Sequence, residues 1–223
     1  MSNPQKRGGS FMFAGLLLIA AALLLTVHNL NEQQQGYESA VVVVTELGES
    51  IPETIPDPPK AQTKEEAVLL EAVEPPFILH PDMSMPETEI DGHSYVGVIE
   101  IPALNLALPV MSESSDEKLK ISPCRFWGSV YTHDMVISAH NYERHFGRLK
   151  SLPDGSEVRF TDMDGNIFIY KTLTNETLRR AAVPEMCAYD ERWDLTLFTC
   201  TVGGKTRFTL RCKLQEYVWN RPQ

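Results

Sequence analysis

The hydrophobic residues of this chain fall into three zones, and the first is continuous. Residues 8–31 contain no Asp, Glu, Lys or Arg, and residues 11–27 read FMFAGLLLIAAALLLTV. A helix of about 20 apolar residues spans a bilayer core of roughly 30 Å. The pattern therefore predicts a transmembrane helix over residues 11–30, with residues 1–10 as a short segment before it.

The charges beside this helix predict its orientation. Lys6 and Arg7 precede it, and basic residues favour the cytoplasmic side. We expect a single-pass membrane protein whose residues after 31 lie outside the cell. A cleaved signal peptide is the alternative, but the apolar run is long for one and no clear cleavage site of small residues follows it. An uncleaved anchor is the favoured interpretation.

The second zone, residues 31–90, predicts an acidic, proline-rich linker. It contains eight prolines, 13 Asp and Glu residues and only two lysines. Such a segment buries little apolar area, and its like charges favour extension. The apolar runs 41–44 and 67–70 could form a short strand or a helical turn, and the favoured interpretation of both is a solvated stalk with transient structure.

The third zone, residues 91–223, predicts one mainly β domain, either a barrel or a sandwich. Short β-rich runs alternate with turn residues, and only residues 116–121 and 143–152 resemble helices. A domain of about 130 residues has an ordinary size. The predicted strands are residues 95–101, 106–111, 135–140, 157–161, 167–172, 195–200 and 206–214.

The charge balance argues against nucleic acid as a partner. The formal net charge is -10, and nearly all of this excess lies in residues 31–90. The predicted β domain is close to neutral and offers no basic surface for a phosphate backbone.

Four cysteines, at positions 124, 187, 200 and 212, are the first candidates for chemistry. Their spacing does not resemble a zinc site. Gly203 and Gly204 separate two strand-like runs and predict a tight hairpin, because primed turns need positive φ angles. With these glycines as the turn, Cys200 pairs with Arg207.

The same register separates the two cysteines of this hairpin. Cys212 falls on the opposite face, where a small thiol packs as core, and it is not expected to bond to Cys200. Arg211 shares the face of Cys200 but lies about 13 Å further along the strand, so Arg207 is the better partner. Cys200 itself fits either a buried thiol or a nucleophile whose pKa a neighbouring cation lowers.

A thiol nucleophile that expels an amine also needs a proton donor and acceptor, and histidine titrates in the useful range. His140 ends the apolar run 135–139, and His145 follows shortly after. A histidine at a strand end can face a cleft, or it can be a surface or capping residue. The periodicity alone does not choose between His140 and His145.

Several segments together resemble the sortase family. Residues 196–200, TLFTC, with Arg207 beyond them, resemble the TLxTC…R element of sortases. Residues 136–141, VISAHN, resemble the segment with the family's histidine, and residues 95–102 with 106–110 resemble its first two strands. The resemblance covers residues 94–215, and the order of these elements behind an N-terminal anchor makes it specific.

The resemblance implies an eight-stranded β-barrel with short helices on the outer face of a Gram-positive membrane. It implies that Cys200 is the nucleophile, His140 the general acid and base, and Arg207 the residue that positions substrate and stabilises the oxyanion. The implied reaction is cleavage of an LPxTG-like sorting motif through a thioacyl enzyme. The acyl group then passes to an amine of a peptidoglycan precursor or a pilin lysine.

The chain also departs from the family pattern. Ala139 stands where a glycine commonly precedes the histidine, and the connection from Cys200 to Arg207 is short. Residues 81–83, PDM, substitute poorly for the lid of pilin-polymerising sortases, so a class B or class D relative is expected. No cofactor is expected; some sortases bind calcium, but nothing in the sequence locates such a site, and residues 162–166 are interpreted as a hairpin turn.

Two other functions stay open. A thiol peptidase would hydrolyse the same acyl enzyme, and a non-catalytic membrane-tethered barrel would bind cell-wall components and use its thiols structurally.

Overall fold

The first element is one long helix, α1, which spans Gln5–Ser50. The structure is a computed structural model that describes residues 5–51, 74–201 and 203–221. Within α1 the segment Phe11–His28 has a mean hydropathy of 2.3 and is wholly exposed, and it is long and apolar enough to cross a membrane. The expected apolar helix is therefore present, but α1 does not end with it.

The second half of α1 differs from the extended linker expected at residues 31–50. No proline occurs before Pro52, and Ala40, Val43, Val44 and Leu47 have the i, i+3, i+4, i+7 spacing of one helix face. Leu47 is 0% exposed, and this face packs against the β domain. Residues 41–44 are therefore part of a docked helix and not of a solvated stalk.

The rest of the predicted linker is only partly described. Residues 52–73 lie outside the described residues, as does the predicted apolar run 67–70. The short helix α2, Pro76–Leu79, places Phe77 in the core, where its ring stacks on Tyr131 at 5.2 Å. The folded structure thus includes residues before 91.

Nine strands form the β domain. Eight of them make a closed ring in the order β2-β3-β4-β5-β8-β9-β7-β6, which the pairing of β6 with β2 completes, and β1 pairs with β2. Closure leaves few sheet edges exposed. The strands are β1 Thr88–Ile90, β2 His93–Ile101, β3 Leu106–Met111, β4 Cys124–Trp127, β5 Met135–Ala139, β6 Glu157–Asp162, β7 Ile167–Arg179, β8 Leu195–Cys200 and β9 Thr206–Val218.

The predicted eight-stranded barrel is confirmed, and all seven predicted strands are present. The sequence analysis did not identify β1 or β4, which have three and four residues. The helix predicted at 116–121 is α3, Asp116–Ile121, which Ser115 caps by accepting a hydrogen bond from the Lys118 amide. The other predicted helix is a 3₁₀ helix, Phe146–Ser151.

Three connections complete the fold. A 3₁₀ helix, Pro102–Leu104, joins β2 to β3, and a five-residue helix, α4, Val183–Cys187, lies between β7 and β8. The predicted turn after β6 is confirmed. There the buried Asp162 carboxylate accepts hydrogen bonds from the Asp164 and Asn166 amides and from the Tyr131 hydroxyl.

Candidate active site

Two neighbouring parallel strands bring positions 140 and 200 to the same edge of the barrel. β5 and β8 pair in register from Met135 with Leu195 to Ala139 with Thr199. The Thr199 hydroxyl also donates to the Ala139 carbonyl at 2.9 Å. His140 directly follows Ala139 in sequence, and Cys200 directly follows Thr199. The pairing of β5 with β8 therefore places His140 and Cys200 side by side where the two strands end.

The β8–β9 hairpin places the guanidinium on the other side of Cys200. Cys200 pairs with Arg207, and Thr196 pairs with Arg211, as the sequence register predicted. Gly203 and Gly204 have φ angles of 84° and 68°, which side chains with a Cβ rarely adopt. The three predicted site residues therefore come from adjacent strand ends.

These strand ends open into a cleft of about 410 Å³. His140, Cys200 and Arg207 all line it and are all partly exposed. α3 forms one wall, and α4 forms another through Val183 and Met186. The remaining lining residues are Ser114, Ser115, Phe126, Ser138, Ala139, Arg180, Phe198 and Gly204.

The walls of the cleft are largely apolar, and sequence reasoning did not identify them. Phe126 meets Phe198 edge to face at 5.2 Å, and both pack with Met186. Leu119 of α3 faces the cleft and also packs on the cluster that contains Val43 and Leu47 of α1. A peptide with an extended backbone and apolar side chains fits such a surface.

Arg211 connects α4 to the barrel through hydrogen bonds. Its guanidinium is 2% exposed and donates to the Met186 and Glu185 carbonyls at 3.0 and 2.9 Å. It also donates to the Thr196 hydroxyl and pairs with Glu176 at 2.8 Å. The side chain is thereby occupied in holding one wall of the cleft.

Arg207 has a different environment. Its Nη1 donates only long hydrogen bonds, at 3.3 and 3.4 Å, to the Gly204 and Thr206 carbonyls. No acidic partner appears for it among the ion pairs of residues 5–51, 74–201 and 203–221. Its positive charge faces the cleft, where it can interact electrostatically with a bound substrate.

The structure distinguishes the two candidate histidines. His140 lies at the cleft, and its ring stacks on Tyr142 at 4.7 Å between centroids. His145 is 1% exposed, and neither ring nitrogen has a hydrogen-bond partner within the described parts of the chain. Burial, with the nearby His140, lowers the pKa of His145 to about 4.

A tight turn holds the His140 segment. The Phe146 amide donates to the His140 carbonyl, and the Gly147 amide donates to the Tyr142 carbonyl at 2.9 Å. A Cβ at position 147 would lie 2.7 Å from that carbonyl oxygen, so only glycine fits there. The turn fixes where the imidazole stands.

All four cysteines are free thiols, and they differ in burial. Burial raises the pKa of Cys124 to about 12 and raises that of Cys212 as well. It also raises the pKa of Cys187, which lies at the end of α4. Cys200 is the one that lines the cleft, whereas Cys212 lies in the core on the other face of the hairpin.

The described residues show no cluster of three or more His, Cys, Asp or Glu side chains that could hold a metal ion. The cleft itself presents a thiol, an imidazole and a guanidinium, from Cys200, His140 and Arg207. Together these groups can support acyl transfer by covalent catalysis.

The family model of the sortase domain matches residues 99–215. No curated protein sequence matches the chain. Sortase A from Corynebacterium diphtheriae has a similar structure with a TM-score of 0.50, at 19% identity over 58% of this chain and 65% of that one.

Two Clostridium perfringens structures are also similar. A sortase D5 transpeptidase has 19% identity and a TM-score of 0.48, over 55% of this chain and 79% of that one. A sortase C solved with the C-terminal cell wall sorting motif has 22% identity and a TM-score of 0.48, over 60% of this chain and 74% of that one.

Proposed function

The chain belongs to the sortase family, and from that premise we propose that Cys200, His140 and Arg207 carry out transpeptidation on an LPxTG-like sorting motif. The observation that carries the proposal is their convergence on one cleft at adjacent strand ends. A nucleophile, a proton carrier and a fixed cation are the groups that acyl transfer between amides requires.

In the first half-reaction the Cys200 sulfur attacks the carbonyl carbon of the scissile peptide bond. A C–S bond forms and the C–N bond breaks. His140 gives a proton to the departing amine, and the acyl part of the substrate remains as a thioester on Cys200. The Arg207 guanidinium, paired across the hairpin from Cys200, stabilises the negative oxygen of the tetrahedral intermediate.

In the second half-reaction an amine replaces the sulfur. The nitrogen attacks the thioester, a C–N bond forms and the C–S bond breaks. His140 accepts the proton that the amine loses, so the enzyme returns to its starting state. A peptidoglycan precursor or a pilin lysine would supply the amine.

The apolar half of α1 would anchor the enzyme in the cell membrane. Phe11–His28 is exposed along its whole length, and such a face suits lipid rather than water. Lys6 and Arg7 favour a cytoplasmic N-terminus, which puts the catalytic domain outside a Gram-positive cell.

The full chain in detergent micelles, incubated with a library of sorting peptides with and without an amine, tests this function. We expect a peptide–amine product and, when the amine is omitted, a slow release of acid. Hydrolysis alone at every amine concentration would make the protein a thiol peptidase. No turnover at all, with all four thiols equally slow toward iodoacetamide, would favour a non-catalytic barrel.

A further inference from the structure

A second groove adjoins the catalytic cleft. It has a volume of about 420 Å³ and is lined by residues 112–114 after β3 and residues 125–128 of β4 and its end. Ser114 and Phe126 line both the groove and the cleft, so the two are continuous. We call this surface, residues 112–114 and 125–128, the β4 groove.

An irregularity in β4 shapes the groove. The register of β4 against β5 shifts between Arg125 and Trp127, as in a β-bulge. Bulges redirect side chains and often lie beside active sites. Here Phe126 faces the cleft, while the Trp127 indole is 56% exposed in the groove.

Strand register gives the separation of Trp127 from Cys200 along the strand direction, and β4 lies two strands, or about 10 Å, to the side of β8. Trp127 pairs with Val136, and Val136 pairs with Thr196, which is four residues from Cys200. Four residues of strand span about 13 Å. An extended peptide with its scissile carbonyl at Cys200 would therefore reach the level of Trp127 about four residues away.

The chemistry of the proposed reaction favours the acyl part of the substrate on this side of the thiol. The acyl part stays on Cys200 through both half-reactions and needs a continuous binding surface. The leaving segment must depart, and an amine must take its place. The apolar walls formed by Leu119, Phe126 and Met186 suit the part that stays.

We propose that the β4 groove binds the residues of the acyl-donor polypeptide that precede its sorting motif. This proposal rests on the proposed function and extends its substrate site. Trp127 provides the main contact, since an exposed indole stacks on peptide groups and on apolar or aromatic side chains.

The charged groups of the groove already have partners. The Glu113 carboxylate pairs with Lys118 at 3.1 Å, and the Arg125 guanidinium donates to the Ser112 carbonyl at 3.0 Å and lies 3.5 Å from Glu87. Recognition through Trp127 therefore favours an aromatic or apolar residue upstream of the motif rather than a particular charge.

Two sets of peptides test the proposal on the full chain in detergent micelles. One carries the motif alone, and the other adds four upstream residues that include a phenylalanine. We expect the extension to raise kcat/KM between about twofold and tenfold, mainly through KM. Trp127→Ala should remove this gain and leave the short peptide unaffected.

Tyr189→Ala is the matched control, since Tyr189 is an aromatic side chain that is 65% exposed and lies outside both surfaces. It should keep the gain. An equal kcat/KM for both peptides in the wild type, or a gain that survives Trp127→Ala with an unchanged melting temperature, would overturn the proposal.

Binding to the Cys200→Ala chain separates this proposal from the proposed function. Fluorescence anisotropy would measure Kd for both peptides without turnover. A tighter Kd for the long peptide, lost in Trp127→Ala, supports the groove even if the wild type transfers no acyl group. Equal Kd values contradict the groove even if the wild type is an active transpeptidase.

Discussion

Three reactive residue types each have one member at the rim of the cleft and another in the interior beside it. The members at the rim are partly exposed and line the cleft, whereas those in the interior are at most 2% exposed. The pairs are Cys200 with Cys212, Arg207 with Arg211, and His140 with His145.

The difference within each pair comes from the backbone rather than from the residue. Cys212 lies on the opposite face of the hairpin from Cys200, in the main core. Arg211 lies on the face of Arg207 but four residues deeper, where α4 covers it. Identical side chains therefore serve the fold or the cleft according to register and distance from the strand end.

Substitution of the two cysteines should give the largest difference in activity. Cys200→Ala is expected to reduce kcat/KM by at least about a thousandfold, because the variant has no nucleophile for the thioacyl step. Cys212→Ala should remain active and lose about 1–2 kcal/mol of stability through its lost packing. Peptide–amine formation and chemical denaturation of both variants measure this, and comparable activity losses in the two would contradict it.

The arginine pair should show opposite effects on activity and stability. Arg207→Ala is expected to lower kcat about a hundredfold by removing the cation near the oxyanion, with little change in melting temperature. Arg211→Met should cost about 2–4 kcal/mol of unfolding free energy, because the buried Met186 carbonyl, the partly buried Glu185 carbonyl and the Thr196 hydroxyl lose their donor.

Steady-state kinetics and guanidinium denaturation of both arginine variants provide the measurement. Glu176→Gln serves as a control, since its carboxylate is 43% exposed and should contribute less than the buried carbonyl contacts. A strongly destabilised Arg207→Ala variant, or an Arg211→Met variant with wild-type stability, would contradict the assignment of Arg207 to catalysis and of Arg211 to stability.

The histidine pair predicts a dependence of stability on pH. The pKa of His145 falls from 6.5 to about 4 on folding, so between these values the unfolded chain binds a proton that the folded chain does not. The resulting contribution of His145 to the free energy of unfolding is fully present above pH 6.5 and is lost as the pH falls toward 4. Between pH 7 and pH 5 it amounts to about 2 kcal/mol.

Denaturation of His145→Phe at both pH values tests this. The variant should lack this part of the acid destabilisation, whereas His140→Phe should abolish turnover. An unchanged pH dependence in His145→Phe would show that the buried ring does not titrate as described.

Two neighbouring valines of α1 show the same contrast between a buried and an exposed position, with a smaller expected effect on stability. Val43 is 6% exposed and packs on the barrel, while its neighbour Val42 is 55% exposed. Val43→Ala should cost about 1–2 kcal/mol of stability through lost burial, and Val42→Ala should change it by a few tenths at most. Melting of both variants in micelles measures this, and equal shifts would argue against docking of α1.

The strands and the Cys200–Arg207 pair could be predicted because each depends on local pattern, whereas the closed barrel and the choice of His140 followed from the resemblance to sortases. Alternating strands, the Gly203–Gly204 turn and the register it sets are properties of neighbouring residues. That register gave the Cys200–Arg207 pair before any tertiary contact was known, and the structure has the same pair.

The interior positions of His145 and Arg211 could not be predicted, because they depend on distant contacts. Whether His140 or His145 faces the cleft is determined by the turn at Gly147, and the role of Arg211 requires α4 to fold over it. The docking of α1 depends on an apolar face that includes Tyr95 and Met111, which are far from it in sequence. The Trp127 surface likewise follows from an irregularity in a strand too short to recognise.

The most direct test of the central claim is mass spectrometry of the full chain after incubation with a sorting peptide and no amine. The account predicts one added acyl group on the proteolytic fragment of the protein that contains Cys200. This group should be lost when an amine is supplied and should be absent in Cys200→Ala. An acyl group on Cys124, Cys187 or Cys212, or undiminished turnover in Cys200→Ala, would contradict it.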